Sequence, residues 1–249
     1  MKTAYDGFLA DIYDYCPYFR DRGNTAVFYL KELALKCSNI LELGTATGSI
    51  TIPLAEAGYI VDTVDFSNDM HNITRRKTVD SLQDISQRIN YILADITVFR
   101  PQKKYGAVII PDSLLTIFLE KNQREKVLKM CYNALEEGGL LILDVYQPIE
   151  RIIKKGIHKE LSRFRGKNKE VYLVTVYHEI NINEQLHSCV YNYRKWRSVN
   201  GPEDDINIQI AYRYLYPAEV REALTRIGFH SIKVTEIFDG NINFITAQK

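Results

Sequence analysis

Residues 40–48 read ILELGTATG, and no other segment restricts the fold as much. Ile40, Leu41 and Leu43, bounded by glycine, predict a fully buried parallel strand. Gly44 lets the chain leave that strand through torsions that a side chain would penalise. Gly48 lets the next helix start close to the sheet, so that a ligand can lie against bare backbone. Residues 49–57 (SITIPLAEA) carry apolar side chains at helical spacing and stop at Gly58. Strand, tight loop and helix in this order predict an α/β chain, with the loop at the position where a doubly wound sheet takes a nucleotide. A core strand followed by an ordinary glycine turn has the same local signature, so the segments downstream decide.

The loop is neither of the common phosphate cradles. Its glycines are spaced GxxxG with Ala46 between them, unlike the dinucleotide pattern GxGxxG, and no GK[ST] ending is present. Residues 59–66 (YIVDTVDF) predict a second buried strand tipped by Asp65, whose carboxylate can accept hydrogen bonds from a ribose diol. Ser67 or Asn68 can equally cap the helix that follows, and the two roles use different groups. Residues 89–97 predict a third strand ending in Asp95-Ile96, and residues 105–111 a fourth. A helix over 120–137 and a Glu137-Gly138-Gly139 turn then lead into LLILDVY.

Together these landmarks resemble the class I S-adenosylmethionine-dependent methyltransferases. Glu42-x-Gly44-x-Ala46-x-Gly48 is similar to the family's E/DxGxGxG loop, with alanine where glycine is commonest. Asp65-Phe66-Ser67-Asn68-Asp69-Met70 resembles its VDxSxxM segment, YGAVIIP its fourth strand, and Gly138-Gly139 its PGG turn. The likeness is close over residues 38–148 and looser at the ends. It implies an α/β, Rossmann-like seven-stranded sheet with the last strand antiparallel and helices on both faces. It also implies S-adenosyl-L-methionine as cofactor and S-adenosyl-L-homocysteine as product. Glu42, Gly44, Thr45, Ala46 and Gly48 would pack against the methionine part, and Asp65 would hold the ribose. Phe66 and Met70 would flank the adenine, Asp95 would bond its amino group and the Ile96 N–H a ring nitrogen, with Pro111 closing the cofactor side.

The chain ends carry a narrower resemblance. Residues 5–14 (YDGFLADIYD) resemble the YDxxAxxYD start of glycine, sarcosine and amino-sugar N-methyltransferases. That likeness implies cofactor contacts from Tyr5 and Tyr13, and an acceptor-side place for Tyr18. An aromatic face attracts a sulfonium, although these tyrosines can also simply pack a lid on the core. After Pro148 the pattern becomes β-rich: residues 170–180, 186–199 and 206–215 alternate with period two. A hairpin turn at 181–185 and a loop at 201–205 separate them, predicting a three-stranded antiparallel insertion that caps the active site. Tyr191 and Tyr193 share one face of it, Arg194 and Trp196 the other. Residues 213–229 resemble the RxYTPEELxxLLxxAGF signature of the same group. Pro217 is placed in the first turn of a helix that Gly228 ends, and strands over 232–237 and 242–247 finish the sheet. The organisation expected is a helical lid at 1–37, a cofactor domain at 38–150 with 208–249, and an insertion at 151–207.

For the acceptor side, the position after strand four makes Asp112 a base or amine anchor, or else the cap of the next helix. Tyr13 and His178 are further catalytic candidates. Arg213, like His178, is an acceptor contact or an ordinary cross-strand pair. The activity expected is in-line methyl transfer to a small-molecule acceptor, an amine nitrogen before a hydroxyl or a peptide terminus. A cofactor-binding subunit without catalysis is the other class.

Composition agrees. With 249 residues and a formal charge of +1, the chain can bury a sizeable core and shows no electrostatic footprint for nucleic acid. The basic stretch 151–169 is expected to be a solvated, partly helical surface rather than a phosphate contact. Cys16, Cys37, Cys131 and Cys189 are scattered, which predicts free thiols in a reducing compartment. The five histidines lack ligand spacing, so no metal is expected. No run of about eighteen apolar residues is present, and the N-terminal segment is not expected to be a signal peptide. A cytoplasmic monomer or homodimer, with no membrane partner, is the expectation.

Overall fold

The computed structural model describes residues 5–19, 25–34, 37–79, 85–197, 201–202, 205–237 and 241–249. Parts of the expected lid (1–4, 20–24 and 35–36), the strand end at 198–199 and the loop residues 203–204 lie outside the described residues.

The first sheet is built as its apolar runs predict. Strands β1 (Asn39–Leu43), β2 (Ile60–Asp65), β3 (Ile89–Leu93), β4 (Tyr105–Ile110) and β5 (Leu135–Tyr146) are parallel to one another. With β11 (His230–Ile237) and β12 (Ile242–Gln248) the order is β11-β12-β5-β4-β1-β2-β3, and β12 runs antiparallel to both neighbours. Strand alternation sends successive side chains to opposite faces, and both faces are covered. Leu41, Leu43, Val108 and Ile110 pack with Val127, Leu128, Val220 and Leu224 of helices α5 (Lys121–Ala134) and α7 (Pro217–Ile227). Ile40, Ala107 and Ile109 pack on the other side with Tyr29 and Leu33 of α2 (Ala26–Leu33) and Leu54 of α3 (Thr51–Glu56). Each such fully buried aliphatic side chain contributes about 1.5–3 kcal/mol.

Two expectations need correcting here. The Glu137-Gly138-Gly139 segment lies inside β5 rather than in a free turn. Tyr105 pairs with Leu135 and Ala107 with Leu140, so the extra residues bulge out around Gly138 at φ 75°. The third strand stops at Leu93, leaving Asp95 and Ile96 in the turn beyond it.

The second sheet has five strands, not three. In order they are β10 (Ile206–Arg213), β8 (Leu186–Arg197), β7 (Val171–Asn181) and β6 (His158–Arg165), with the short β9 (Gly201–Pro202) on β8. The extra strand β6 comes from the basic stretch expected to be solvated and partly helical; only α6 (Glu150–Ile153) begins that stretch as a helix. Its outward Lys159, Leu161 and Arg163 are exposed, while Phe164 is buried against the inner face. Charge on an edge strand protects it from further pairing, which is why a strand can read as a solvated run. The inner face is the one bearing Tyr191 and Tyr193, packed on Leu9 and Ile12 of α1 (Phe8–Ile12) and on Cys16. Trp196 on the outer face is 56% exposed, and Arg194 pairs there with Asp205 at 2.7 Å.

Candidate active site

The carboxyl ends of β1, β2 and β4 meet at the point where strand order reverses, the usual ligand position in an open α/β sheet. Gly44 turns off β1 at φ 87°, and a Cβ there would lie 2.9 Å from Leu114 Cδ2. Ala46 holds φ 43°, a left-handed conformation that favours glycine, and its N–H donates to Asp65 Oδ2 at 3.0 Å. Gly48, at φ 85°, serves packing rather than open backbone: a Cβ there would meet Thr74 Cγ2 at 2.6 Å. Thr74 stands on α4 (Asn68–Val79), and its hydroxyl donates to the Ala46 carbonyl at 3.1 Å.

Asp65 is buried and accepts from Ala46 N–H and, at 2.8 Å, from Ser67 N–H, one bond to each oxygen. A carboxylate has about four lone-pair sites, so capacity for a diol is left. Burial pushes the Asp65 carboxyl up, and these backbone bonds oppose the shift. Ser67 Oγ accepts from Met70 N–H at 3.2 Å, so Ser67 caps the helix. Glu42 is fully buried, and Thr51 Oγ1 donates to its Oε2 at 2.5 Å while Oε1 has no partner. Burial pushes this carboxyl up to about 8. An orphaned buried carboxylate oxygen beside a glycine turn suits an ammonium group, so Glu42, the loop and Asp65 fit an amino-acid nucleoside. Asp95 accepts from Thr97 N–H and Oγ1 through one oxygen, at 2.8 and 2.7 Å, and Ile96 is buried in the core.

The N-terminal segment closes over these strand tips. Thr47 Oγ1 donates to Asp14 Oδ1 at 2.6 Å, and Lys77 bridges Asp14 and the Thr47 carbonyl, at 2.7 Å to each. Ser67 Oγ donates to Asp6 Oδ1 at 2.6 Å, and Gly7 N–H donates to Asp69 Oδ2 at 2.8 Å. Both acids of the YD…YD segment therefore strap it to the loop and to α4. Tyr5 stands edge-on to Phe66 with ring centres 6.2 Å apart, and burial, then the Asp65 charge, pushes its phenol up to about 12. Tyr13 stacks on Phe19, and its phenol is raised by burial first and next by the charge of Asp112. Met70 is buried behind the loop.

Asp112 follows Pro111 at the end of β4. Asp112 and Ser113 both hold φ 54°, two consecutive left-handed residues without glycine, a costly arrangement that persists only under external support. Asp144 on β5 supplies that support. Its Oδ2 accepts from Ser113 N–H at 2.7 Å and Oγ at 2.8 Å, and its Oδ1 from the Tyr29 hydroxyl. Burial raises the Asp144 carboxyl. Sequence reasoning missed Asp144 and Tyr29; the acid inside the apolar run LLILDVY was the available signal.

The structure thus brings Tyr5, Tyr13, Glu42, Gly44, Ala46, Asp65, Phe66 and Asp112 together, with Thr45 beside them bonded to Thr63 at 2.6 Å. Tyr18 packs edge-on to Tyr191 in the cap. Arg213 is committed elsewhere: it donates to the Glu184 carbonyl at 2.7 Å and Gln185 Oε1 at 3.1 Å, bracing the β7–β8 turn. His178 lies on the cap's inner face, stacked on His158 with ring centres 4.5 Å apart and 3.0 Å from His187 Nε2. Burial lowers His178 and takes His187 down to about 4, so both imidazoles are neutral near pH 7.

This arrangement has counterparts. Residues 40–139 match the family described as methyltransferase domain. The glycine/sarcosine N-methyltransferase of Aphanothece halophytica is 32% identical over 120 residues, covering 46% of this chain and 42% of that protein. The carboxy-S-adenosyl-L-methionine synthase of Nautilia profundicola is 23% identical over 92% of this chain and 84% of its own. The CcbJ methyltransferase from Streptomyces caelestis superposes with TM-score 0.76 at 19% identity, covering 98% and 97% of the two chains. A methyltransferase domain over residues 40–139 and a fold shared along nearly the whole chain support an S-adenosylmethionine-dependent methyltransferase, with S-adenosyl-L-methionine as cofactor and S-adenosyl-L-homocysteine as product.

Proposed function

We propose that the acceptor is a small molecule presenting a neutral amine nitrogen, and that Glu42, the 44–48 loop, Asp65, Phe66, Tyr5 and Tyr13 hold the cofactor. The observation that carries this reading is the aromatic lid. Tyr5 and Tyr13, raised by burial, stay protonated over the strand tips, so the lid offers aromatic faces and O–H donors rather than phenolates. Bound there, S-adenosylmethionine supplies a methyl group already activated by its sulfonium. The remaining work of the protein is positioning and dehydration. Asp112, exposed on its strained turn, would hold the acceptor amine and take the proton that it loses on attack. The likeness to the glycine/sarcosine enzyme supports nitrogen as the atom methylated. With a net charge of +1 and scattered bases, a small molecule suits the chain better than nucleic acid. A cytoplasmic monomer or homodimer completes the reading.

The match along most of the Nautilia synthase favours one other reading, in which the donor itself is modified. Incubation with methyl-labelled S-adenosylmethionine and a panel of amines, with their hydroxyl counterparts, separates the two. Label on an amine supports the proposal. Label on a hydroxyl, or retained in a modified donor, overturns it.

A further inference from the structure

The inner face of the cap sheet carries a group of side chains that methyl transfer does not use. His178 on β7 lies directly across the ladder from Cys189 on β8, and His187 sits two residues before Cys189 on the same face. His178 Nδ1 is 3.0 Å from His187 Nε2, and Cys189 Sγ is 3.5 Å from the first and 3.4 Å from the second. Three atoms of ligand type, from three side chains on two paired strands, therefore converge on one point.

A tetrahedral ion fixes what such separations should be. With Zn–N of about 2.1 Å and Zn–S of about 2.3 Å, ligand atoms stand about 3.4 Å apart for N···N and about 3.6 Å for N···S. All three observed separations lie within about 0.4 Å of those values, with no movement of the backbone. The antiparallel ladder holds the three residues in place, so little ordering is needed on binding. His158 stands opposite His178 on β6, and it forms with Glu160 and His178 a second group whose ligand atoms lie within 4.8 Å of one another. The His178 ring is held by its stack on His158, with ring centres 4.5 Å apart. These are the two such clusters among the described residues.

We propose that His178, His187 and Cys189 bind one thiophilic divalent cation, zinc by ligand type. The fourth position is left for water or for a donor atom of the acceptor. On binding, each imidazole donates a ring nitrogen lone pair, and the Cys189 thiol gives its proton to solvent as its sulfur binds the metal. The His187 ring lies 5.8 Å from the ring of Tyr146 and 6.4 Å from that of Tyr212. Tyr212 and Tyr13 both pack against the inner-face cluster that holds Cys189, so the metal would sit close behind the aromatic lid of the cofactor site. The inference goes beyond methyl transfer and stands or falls separately from it.

Cobalt titration of the chelator-treated full chain is the test. One equivalent of Co²⁺ should give the visible bands of a tetrahedral site and a thiolate-to-cobalt charge-transfer absorption, both removed by Zn²⁺. Cys189→Ser should abolish the charge-transfer absorption and weaken zinc by more than about 100-fold, beyond the 10–100-fold that a supporting residue is worth, with S-adenosylmethionine binding unchanged. His178→Gln should weaken zinc comparably. Absence of thiolate–cobalt absorption in the wild-type protein overturns the proposal without any variant. So does zinc affinity that Cys189→Ser leaves unchanged in a folded protein.

Discussion

Replacing Gly48 by alanine probes the packing that sets the cofactor loop. The residue sits at φ 85°, where a Cβ would lie 2.6 Å from Thr74 Cγ2 and 3.0 Å from Ile52 Cδ1. The left-handed conformation costs alanine about 1–2 kcal/mol, and forcing a methyl into a filled space adds about 1–3 kcal/mol. A loss of about 3 kcal/mol is therefore expected, which for a chain of this size lowers the melting midpoint by about 6–12 °C. The two contributions separate in a double-mutant cycle. Thr74→Ser removes the clashing Cγ2 and keeps the hydroxyl that bonds the Ala46 carbonyl. In that background Gly48→Ala should cost about 1 kcal/mol less, with the torsional part intact. Urea unfolding of the four proteins measures this. A Gly48→Ala cost under about 0.5 kcal/mol, the range of inert surface changes, or no coupling to Thr74, would refute the packing.

Other expectations follow from the same site. Asp144→Asn can present an acceptor to Tyr29 or to Ser113 but not to both, so it should lose about 1–3 kcal/mol of stability and lower kcat through the Asp112 turn, read by melting and turnover. Glu42, held at about 8, keeps its proton while an unfolded Glu with the ordinary value of 4.5 has lost it. Its contribution to stability is therefore full below pH 4.5 and is lost as pH rises through about 8, and Glu42→Gln should remove that slope from melting curves taken across this range. A cationic cofactor amine should expel the same proton, so calorimetry at pH 7 in buffers of different ionisation enthalpy should show close to one proton released by the wild type and none by Glu42→Gln. Arg213→Ala should lower stability through the β7–β8 turn while leaving KM for the acceptor unchanged; a KM rise would instead place Arg213 at the acceptor.

Much of this was legible from local signals. Apolar runs ending in glycine or an acid gave β1, β2 and the loop between them, because a strand buried on both faces leaves an unbroken hydrophobic pattern. Pro217 and Gly228 marked both ends of α7, where Tyr216 and Glu219 also form a reciprocal cap. What escaped was tertiary. Strand β6 forms a hairpin with β7, but Lys159 and Arg163 on its outward face make the run read as a solvated basic segment. The support of Asp112 by Asp144 joins residues whose relation only the sheet creates. The histidines look unspaced along the chain, yet register aligns His158 with His178 and His178 with Cys189. Cys189 is a free thiol, as expected, and the same register brings its sulfur within 3.5 Å of both histidines.

Calorimetric titration of the purified protein with S-adenosylmethionine, repeated on Asp65→Ala, tests the central claim most directly. Saturable binding at one site per chain is expected, tighter for the homocysteine product or comparable to it, and lost in the variant while its fold is intact by circular dichroism. No binding by the wild type, or the same affinity in Asp65→Ala, would contradict the placement of the cofactor at the tips of β1 and β2.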